Sequence, residues 1–163
     1  MLAGVDTRAA WAVLRQVSDP EVPVLSVVDL GLVRELRPLD AGLEVVLTPT
    51  YSGCPATEVI EDAVRQALEG AGMGPVRVVM RRAPAWTTDW ISDEGRDKLR
   101  QYGIAPPGRC GDAAPVHLMA RGVDCPRCGS ARTERLSAFG STACKALHRC
   151  LACREPFEHF KPI

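Results

Sequence analysis

The sequence predicts an α+β fold, in which a small mixed sheet carries two helices on one face, followed by a C-terminal β unit of the zinc-ribbon type. Three observations support this prediction. Helical and alternating apolar patterns follow one another in the order α-β-β-α-β over about the first 83 residues. A stretch rich in proline and glycine then interrupts the pattern. Two Cys-x₂-Cys pairs follow near the end, with short β-type runs around them.

The first three elements are a helix and a β-hairpin. Apolar residues recur at helical spacing at Ala10, Val13, Leu14 and Val17. The prolines of SDPEVP end this helix. The run VVDLGLVREL, residues 27–36, is expected to be a buried strand that bends or approaches another backbone closely at Gly31. A turn at residues 39–42 leads to a second strand, LEVVLT.

The clearest helix follows the loop PTYSGCP. Its apolar stripe is unbroken and comprises Ala56, Val59, Ile60, Ala63, Val64, Ala67 and Leu68. Pro55 suits the first helical position, and Gly70 suits the C-terminal end. The run VRVVMRR after this helix alternates apolar and polar residues, so it is expected to be the third strand.

A connecting region is predicted between the α+β domain and the cysteine pairs. It contains a short helix at about residues 92–102, and APPGRCGDAAP follows this helix as a linker. Trp86 and Trp90 are expected to dock the region onto the first domain, while an exposed partner-binding patch is the alternative. The predicted divisions are residues 1–83, 84–121 and 122–163.

The two cysteine pairs are predicted to form one metal site. Cys125-x₂-Cys128 and Cys150-x₂-Cys153 are separated by 21 residues, which is close to the usual zinc-site spacing. Two residues between cysteines allow a tight turn to direct both sulfurs at one metal, and two such turns give a tetrahedral Cys₄ site. Such a site has no open coordination position. The zinc is therefore expected to be structural rather than catalytic.

A metal would also explain how so short a segment folds. About 40 residues bury too little apolar surface to fold alone, and structural zinc supplies roughly 10–16 kcal/mol. A redox dithiol or an iron centre in the same four ligands remains an alternative. His148 could replace one thiolate, and Cys144 is expected to be a small buried residue. His117 and His159 are interpreted as surface residues, and Cys110 is given no role.

Cys54 has a different setting, because it directly precedes Pro55 at the start of the clearest helix. The free amides and dipole at a helix start favour a thiolate, so Cys54 is a candidate metal ligand, sulfur carrier or nucleophile. A buried structural cysteine is the alternative. All three histidines lie in the linker or the ribbon, which argues against a Cys/His hydrolase built on Cys54.

Composition and charge exclude several other classes. The apolar fraction is 46% and the formal net charge is zero, as in ordinary globular proteins. Residues 1–120 carry a net charge of −4, and residues 121–163 carry +4. The N-terminal residues lack the basic region of a signal peptide, and no long apolar run follows, so we expect a cytoplasmic protein without a membrane partner. A nucleic-acid-binding ribbon is a further hypothesis, but the charge of the tail is modest and Phe139, Phe157 and Phe160 could belong to the core.

The motifs together resemble a known family. DPEVPVLSVVDLGLV followed by LTPTYSGCPAT resembles the SufT/PaaD-like domain used in iron–sulfur assembly. WTTDWISDEGRDKLRQYGIAPP, the CPxCG knuckle and TACKALHRCLACREPFEHFKPI resemble the PaaD branch, also called PaaJ, which is encoded with the phenylacetyl-CoA epoxidase of aerobic phenylacetate breakdown. The resemblance covers nearly the whole chain. The combination of domain, connecting helix and ribbon is specific, whereas the GCP motif alone is weak.

The resemblance implies a non-catalytic accessory role. The oxygenase of this epoxidase carries a di-iron centre and its reductase an iron–sulfur cluster, and PaaD-like proteins assist their assembly. When the family's site is transferred to this sequence, Cys54 becomes the transfer thiol that holds iron or an iron–sulfur species transiently. A homodimer that shares this species between two copies of Cys54 is one form of the hypothesis. Asp19, Glu21 and Asp29 lie in the surrounding turns as supporting residues. Asp29 could orient a ligand or bind metal, or it could instead cap a loop. A structural adaptor subunit, in which Cys54 is inert, is the alternative.

Overall fold

The computed structural model describes residues 5–51, 53–110 and 122–163, and it divides into two compact units, Met1–Ser92 and Asp93–Ile163. The described elements of the first unit are α1 Thr7–Leu14, β1 Val33–Leu39, β2 Gly42–Leu47, α2 Ala56–Gly70, β3 Val76–Met80 and a 3₁₀ turn, Thr88–Trp90. Their order confirms the predicted α-β-β-α-β arrangement.

The sheet of the first unit is mixed, as predicted. Its strand order is β1-β2-β3, with β1 antiparallel and β3 parallel to β2. Val45 on the central strand lies between Leu36 of β1 and Val78 of β3. A parallel pair cannot be joined by a tight turn, and α2 supplies the crossover between β2 and β3.

The core of the first unit lies between the sheet and the two helices. α1 and α2 pack against each other, and each buries only one stripe of side chains. Among the fully buried residues of this unit are Ala10, Leu14, Leu43, Val45, Val64 and Leu68. The helical periodicity in the sequence therefore predicted correctly which face of each helix is buried.

The prediction of a strand over the whole of residues 27–36 was wrong in its first half. β1 begins only at Val33, and the preceding residues form consecutive turns. The amide of Ser26 donates to Oδ2 of Asp29 at 2.9 Å, and the amide of Asp29 donates to Oγ of Ser26 at 3.0 Å. This reciprocal pair offers the backbone an alternative to the ladder of a sheet, so it overrides the apolar composition of the run.

Gly31 ends these turns and makes the predicted close approach. Its φ is +69°, and a Cβ at this position would lie 2.6 Å from the carbonyl oxygen of Trp90. Trp86 is buried and donates its indole N–H to the carbonyl of Leu30 at 2.8 Å. The amide of Ser92 donates to the carbonyl of Asp29 at 2.9 Å. Residues 84–92 therefore belong to the first unit.

The second unit is a helix followed by a four-stranded sheet. Its described elements are α3 Asp93–Tyr102, β4 Ile104–Ala105, β5 Thr133–Ser137, β6 Lys145–Cys150 and β7 Pro156–Phe160. The strand order is β4-β7-β6-β5, in which only the β4–β7 pair is parallel. The short β-type runs predicted around the cysteine pairs correspond to β5, β6 and β7.

The short strand β4 was not predicted, because Ala105 was assigned to the linker. Ile104 and Ala105 are both buried and pair with Glu158 and His159 of β7. A strand of two residues shows no alternation, so the sequence carries no periodic signal for it. Residues 111–121 of the predicted linker, including His117, lie outside the described residues.

No helix in the described ranges is both long enough and apolar enough to cross a membrane.

The substitution Gly31→Ala should destabilise the first unit more than Gly72→Ala. Both glycines have similar positive φ values, +69° and +78°, but no atom lies within 4 Å of a Cβ at Gly72. The left-handed conformation costs about 1–2 kcal/mol in either variant, and only Gly31→Ala adds the clash with Trp90. Urea unfolding followed by tryptophan fluorescence measures the difference. Equal losses in the two variants would contradict the assigned close approach.

Candidate metal centre and the Cys54 loop

The four predicted cysteine ligands come together in the second unit. The sulfur atoms of Cys125, Cys128, Cys150 and Cys153 all lie within 4.8 Å of one another. Sγ of Cys125 lies 3.8 Å from that of Cys153, and Sγ of Cys128 lies 3.6 Å from that of Cys150. Zn–S bonds of about 2.3 Å in a regular tetrahedron place neighbouring sulfurs about 3.8 Å apart. The arrangement therefore fits a four-coordinate metal.

The two turns that carry these cysteines have the shape that such a site requires. In the first turn the amide of Gly129 donates to the carbonyl of Cys125 at 2.9 Å, and Gly129 has a φ of +74°. In the second turn the amides of Ala152 and Cys153 both donate to Sγ of Cys150 at 3.4 Å. Such amide hydrogen bonds stabilise a thiolate, which is the form that binds metal.

The electrostatics of the thiols show why this cluster needs a cation. The amides of Cys153 and Ala152 lower the pKa of Cys150 to about 6. The amide of Glu155 acts in the same direction on Cys153, but burial and the hydrogen bonds with the other three thiols outweigh it and raise the pKa of Cys153 to about 12. Ionisation of Cys153 is thus opposed by the negative charge of the Cys150 thiolate. A divalent cation removes this penalty and allows all four thiols to ionise.

The cluster also forms the centre of the small core of this unit. Cys125 and Cys150 are buried beside Ala105 and Phe157, and Val123 packs against this group. Cys128 and Cys153 are exposed. Two of the four cysteines are therefore also part of the hydrophobic core. Loss of a bound metal would disturb the packing of this core as well as leave the thiolate charges unbalanced.

His148 is not part of the sulfur cluster and stacks instead on Phe157, with ring centroids 5.6 Å apart. His159 packs edge-on against His148 at 5.3 Å. Burial lowers the pKa of His148, and burial together with the charge of His148 lowers the pKa of His159 to about 4. The interpretation of His159 as a surface residue was therefore wrong, since it is half-buried.

The two cysteines of the second unit that lie outside the cluster differ in burial. Cys144 is buried, as expected, and its sulfur lies 3.0 Å from Oγ1 of Thr142. Cys110 is exposed.

Sequence reasoning missed the ion pair between Lys145 and Glu158, in which Nζ lies 3.1 Å from the carboxylate and the lysine side chain is buried. Only the pairing register of β6 and β7, which the sequence does not specify, could have indicated this pair.

Cys54 lies where the sequence places it, at the head of α2. Pro55 has helical backbone angles and α2 begins at Ala56, while the amide of Thr57 donates to the carbonyl of Cys54 at 3.1 Å. The residue is 8% exposed. Gly53 has a φ of +81°, and no atom lies within 4 Å of a Cβ placed there, so the chain beside Cys54 is open on that side.

The three supporting acidic residues lie in the turns that precede β1. Oδ1 of Asp19 accepts from the amides of Glu21 and Val22 at 2.9 and 2.7 Å, so Asp19 organises its own turn. Asp29 is buried in the reciprocal pair with Ser26. Within the described residues, the four-cysteine cluster is the one group of three or more ligand-type residues close enough to hold a metal. Cys54 and the acidic residues are not members of this cluster.

Comparisons with known proteins agree with this two-part architecture. The family described as iron-sulfur cluster assembly protein matches residues 7–79, and the PaaD zinc beta ribbon domain matches residues 112–161. A protein of Escherichia coli (strain K12) named as a putative subunit of 1,2-phenylacetyl-CoA epoxidase is 52% identical over 153 residues, which cover 94% of this chain and 91% of that protein. The chain belongs to the PaaD family.

Two more distant similarities involve the first part of this PaaD family member. The "Fe-S protein maturation auxiliary factor" of Porphyromonas gingivalis is 37% identical over 88 residues, which cover 53% of this chain and 83% of that protein. A crystal structure of a domain of unknown function, DUF59, from Bacillus anthracis superimposes with a TM-score of 0.53 at 25% identity, covering 56% of this chain and 89% of that one. The α+β fold is therefore shared with this group.

Removing the metal with a chelator should unfold the second unit and leave the first unit folded. All three tryptophans lie in the first unit, so their fluorescence should stay constant while the β-sheet signal in circular dichroism falls. Cys128→Ala should reproduce this effect, because an exposed cysteine contributes through the metal rather than through packing.

Cys144→Ala is the control, because Cys144 lies outside the sulfur cluster, and this variant should retain the metal content of the wild type. A second unit that resists the chelator would show that the four cysteines do not hold a structural metal.

Proposed function

We propose that this protein is a non-catalytic accessory subunit of the multicomponent phenylacetyl-CoA epoxidase, and that it assists the assembly of the iron or iron–sulfur centres of that enzyme. The name of the Escherichia coli relative supports the link to the epoxidase. The name of the Porphyromonas gingivalis relative and the match of residues 7–79 support the link to metal-centre maturation.

The observation that carries this proposal is the setting of Cys54 at the head of α2. Cys54 is 8% exposed and is not a member of the four-cysteine cluster, and no atom lies within 4 Å of a Cβ placed at Gly53. A single thiolate lacks the additional ligands that hold iron permanently. Such a ligand suits a transient carrier better than a resident cofactor site.

The cargo on Cys54 would be an iron ion or an iron–sulfur species, and the transfer is an exchange of ligands without oxidation or reduction. The thiol releases its proton to solvent when the iron–sulfur bond forms. Carboxylate or imidazole ligands of the oxygenase, or thiolates of the reductase, then replace Cys54, which takes up a proton from solvent again.

The second unit has a separate role in this proposal. Cys125, Cys128, Cys150 and Cys153 would bind one zinc ion that stabilises the ribbon and takes no part in the transfer. A filled Cys₄ site has no open coordination position. The ribbon then serves as a docking module for an epoxidase subunit.

A structural adaptor subunit is the second candidate function. Asp19 and Asp29 accept hydrogen bonds from backbone amides of their own turns, and among the described residues neither belongs to a metal-binding group with Cys54. This observation favours an inert, buried Cys54. The adaptor would remain bound to the oxygenase in a stoichiometric complex, whereas a maturation factor would leave after the metal is delivered.

The substitution Cys54→Ala should leave the fold and the zinc content unchanged and yield epoxidase with less than about half of its iron. Elemental analysis of anaerobically purified protein and of epoxidase co-produced with it measures both quantities. The wild type should contain one zinc ion and additional iron per chain, and the variant zinc alone.

Cys110→Ala provides the matched control, because Cys110 is also a cysteine outside the four-cysteine cluster. Epoxidase that loads iron normally with Cys54→Ala would refute the carrier role. If this normally loaded epoxidase also copurified with the protein in a stable complex, the adaptor function would replace the carrier function.

A further inference from the structure

The loop between β5 and β6, residues 138–144, exposes an aromatic side chain. Phe139 is 65% exposed, whereas Phe157 and Phe160 are buried. Leu136, at the adjoining end of β5, is 49% exposed. β5 is the outer strand of its sheet, so in the described structure no further strand covers this edge. Of the three phenylalanines that could belong to the core, Phe157 and Phe160 do and Phe139 does not.

The loop is held in one conformation by Glu158. Its carboxylate accepts from the amide and the hydroxyl of Ser141 at 2.6 and 3.1 Å, and it pairs with the buried Lys145. Burial alone would raise the pKa of Glu158, but these hydrogen bonds and the lysine charge hold it below its ordinary value. A Cβ on Gly140 would lie 2.7 Å from the same carboxylate. The loop thus closes tightly over Glu158.

Lys161 supports the loop from the other side. Its ammonium group donates to the carbonyl of Ala138 at 2.9 Å and lies 4.5 Å from the centre of the Phe139 ring. The amide of Phe139 donates to the hydroxyl of Ser137 at 3.2 Å. Phe139 is therefore an exposed but ordered aromatic residue beside a fixed positive charge. Little conformational entropy remains to be lost when such a side chain is bound.

We propose that the β5–β6 loop is the docking site of the ribbon, and that its partner is an epoxidase subunit with an apolar pocket rimmed by carboxylates. Phe139 would fill the pocket, Leu136 would cover its edge, and Lys161 would face the acidic rim. Aromatic anchors of this kind dominate the energy of protein interfaces. The net charge of +4 over residues 121–163 favours an acidic partner. The identity of this partner rests on the proposed function.

A protein partner fits this surface better than nucleic acid. Arg149 pairs with Glu134 and Lys145 with Glu158, so part of the positive charge of the ribbon is neutralised internally. Nucleic-acid binding normally requires several phosphate contacts by free basic side chains. One lysine beside one phenylalanine provides too few of them.

A second copy of this chain is also a poor partner for the loop. The apolar cavity beside α1 is lined by Trp11 together with Arg8 and Arg15. Phe139 in this cavity would place both arginines close to Lys161. An acidic pocket on a different protein avoids this repulsion.

Binding of the full-length protein to each purified epoxidase subunit tests the proposal, with titration calorimetry at two salt concentrations. Phe139→Ala should weaken binding about tenfold or more, because a central aromatic anchor is lost. Lys161→Glu should also weaken binding and should reduce its dependence on salt. Zinc content verifies that each variant is folded.

Tyr102→Ala is the matched control, since Tyr102 is also an aromatic residue of the second unit and is likewise 65% exposed. It should bind within about twofold of the wild type, as expected for a surface residue outside the interface. Equal binding by Phe139→Ala and the wild type would overturn the proposal. So would a wild type that binds no epoxidase subunit, self-association that depends on Phe139, or nucleic-acid binding that Phe139→Ala abolishes.

The proposed transfer role can fail independently of the docking site. Cys54→Ala should bind the epoxidase as tightly as the wild type, because Cys54 and Phe139 belong to different units. Loss of binding in Phe139→Ala together with normal iron loading in Cys54→Ala would retain the docking loop and reject the carrier. Normal binding in Phe139→Ala with poor iron loading in Cys54→Ala would retain the carrier and reject the docking loop.

Discussion

Four thiols held within 4.8 Å of one another are the constraint on which the second unit depends. The cluster occupies the core of a sheet whose strands have only two to six residues, and it replaces apolar side chains that such a short segment cannot supply. The pKa of Cys150 is lowered to about 6 and that of Cys153 is raised to about 12, so the thiols ionise against one another and a cation would offset this repulsion. Folding of a unit built in this way is expected to be coupled to metal binding.

The first unit reaches stability by a different route. Its helices and sheet bury a continuous set of leucine and valine side chains, and its turns are satisfied internally by Asp19 and Asp29. A metal is not needed to hold this fold together. Under the proposed carrier role, Cys54 would bind and release its cargo without a change in this scaffold.

The sequence was informative wherever one strong local rule decided the structure. The apolar stripe of α2 predicted its buried face, and the Cys-x₂-Cys spacing predicted which four sulfurs meet. Sequence-based prediction failed where side-chain hydrogen bonds or the pairing register of strands determined the local structure. Ser26 and Asp29 converted a β-type run into turns. β4 is too short for periodicity, and the position of His159 beside His148 depends on strand pairing across the sheet.

The exposure of Phe139 shows how a register-dependent contact can create a surface that composition conceals. Sequence alone favours burial of a phenylalanine in a small domain. The carboxylate of Glu158 instead secures Ser141 and leaves no space for a side chain at Gly140, and Lys161 holds the carbonyl of Ala138. The loop is thereby fixed with Phe139 outward, at a cost in exposed apolar surface. A partner that covers the ring would bury this apolar surface. The contacts that order the loop therefore also favour its use in binding.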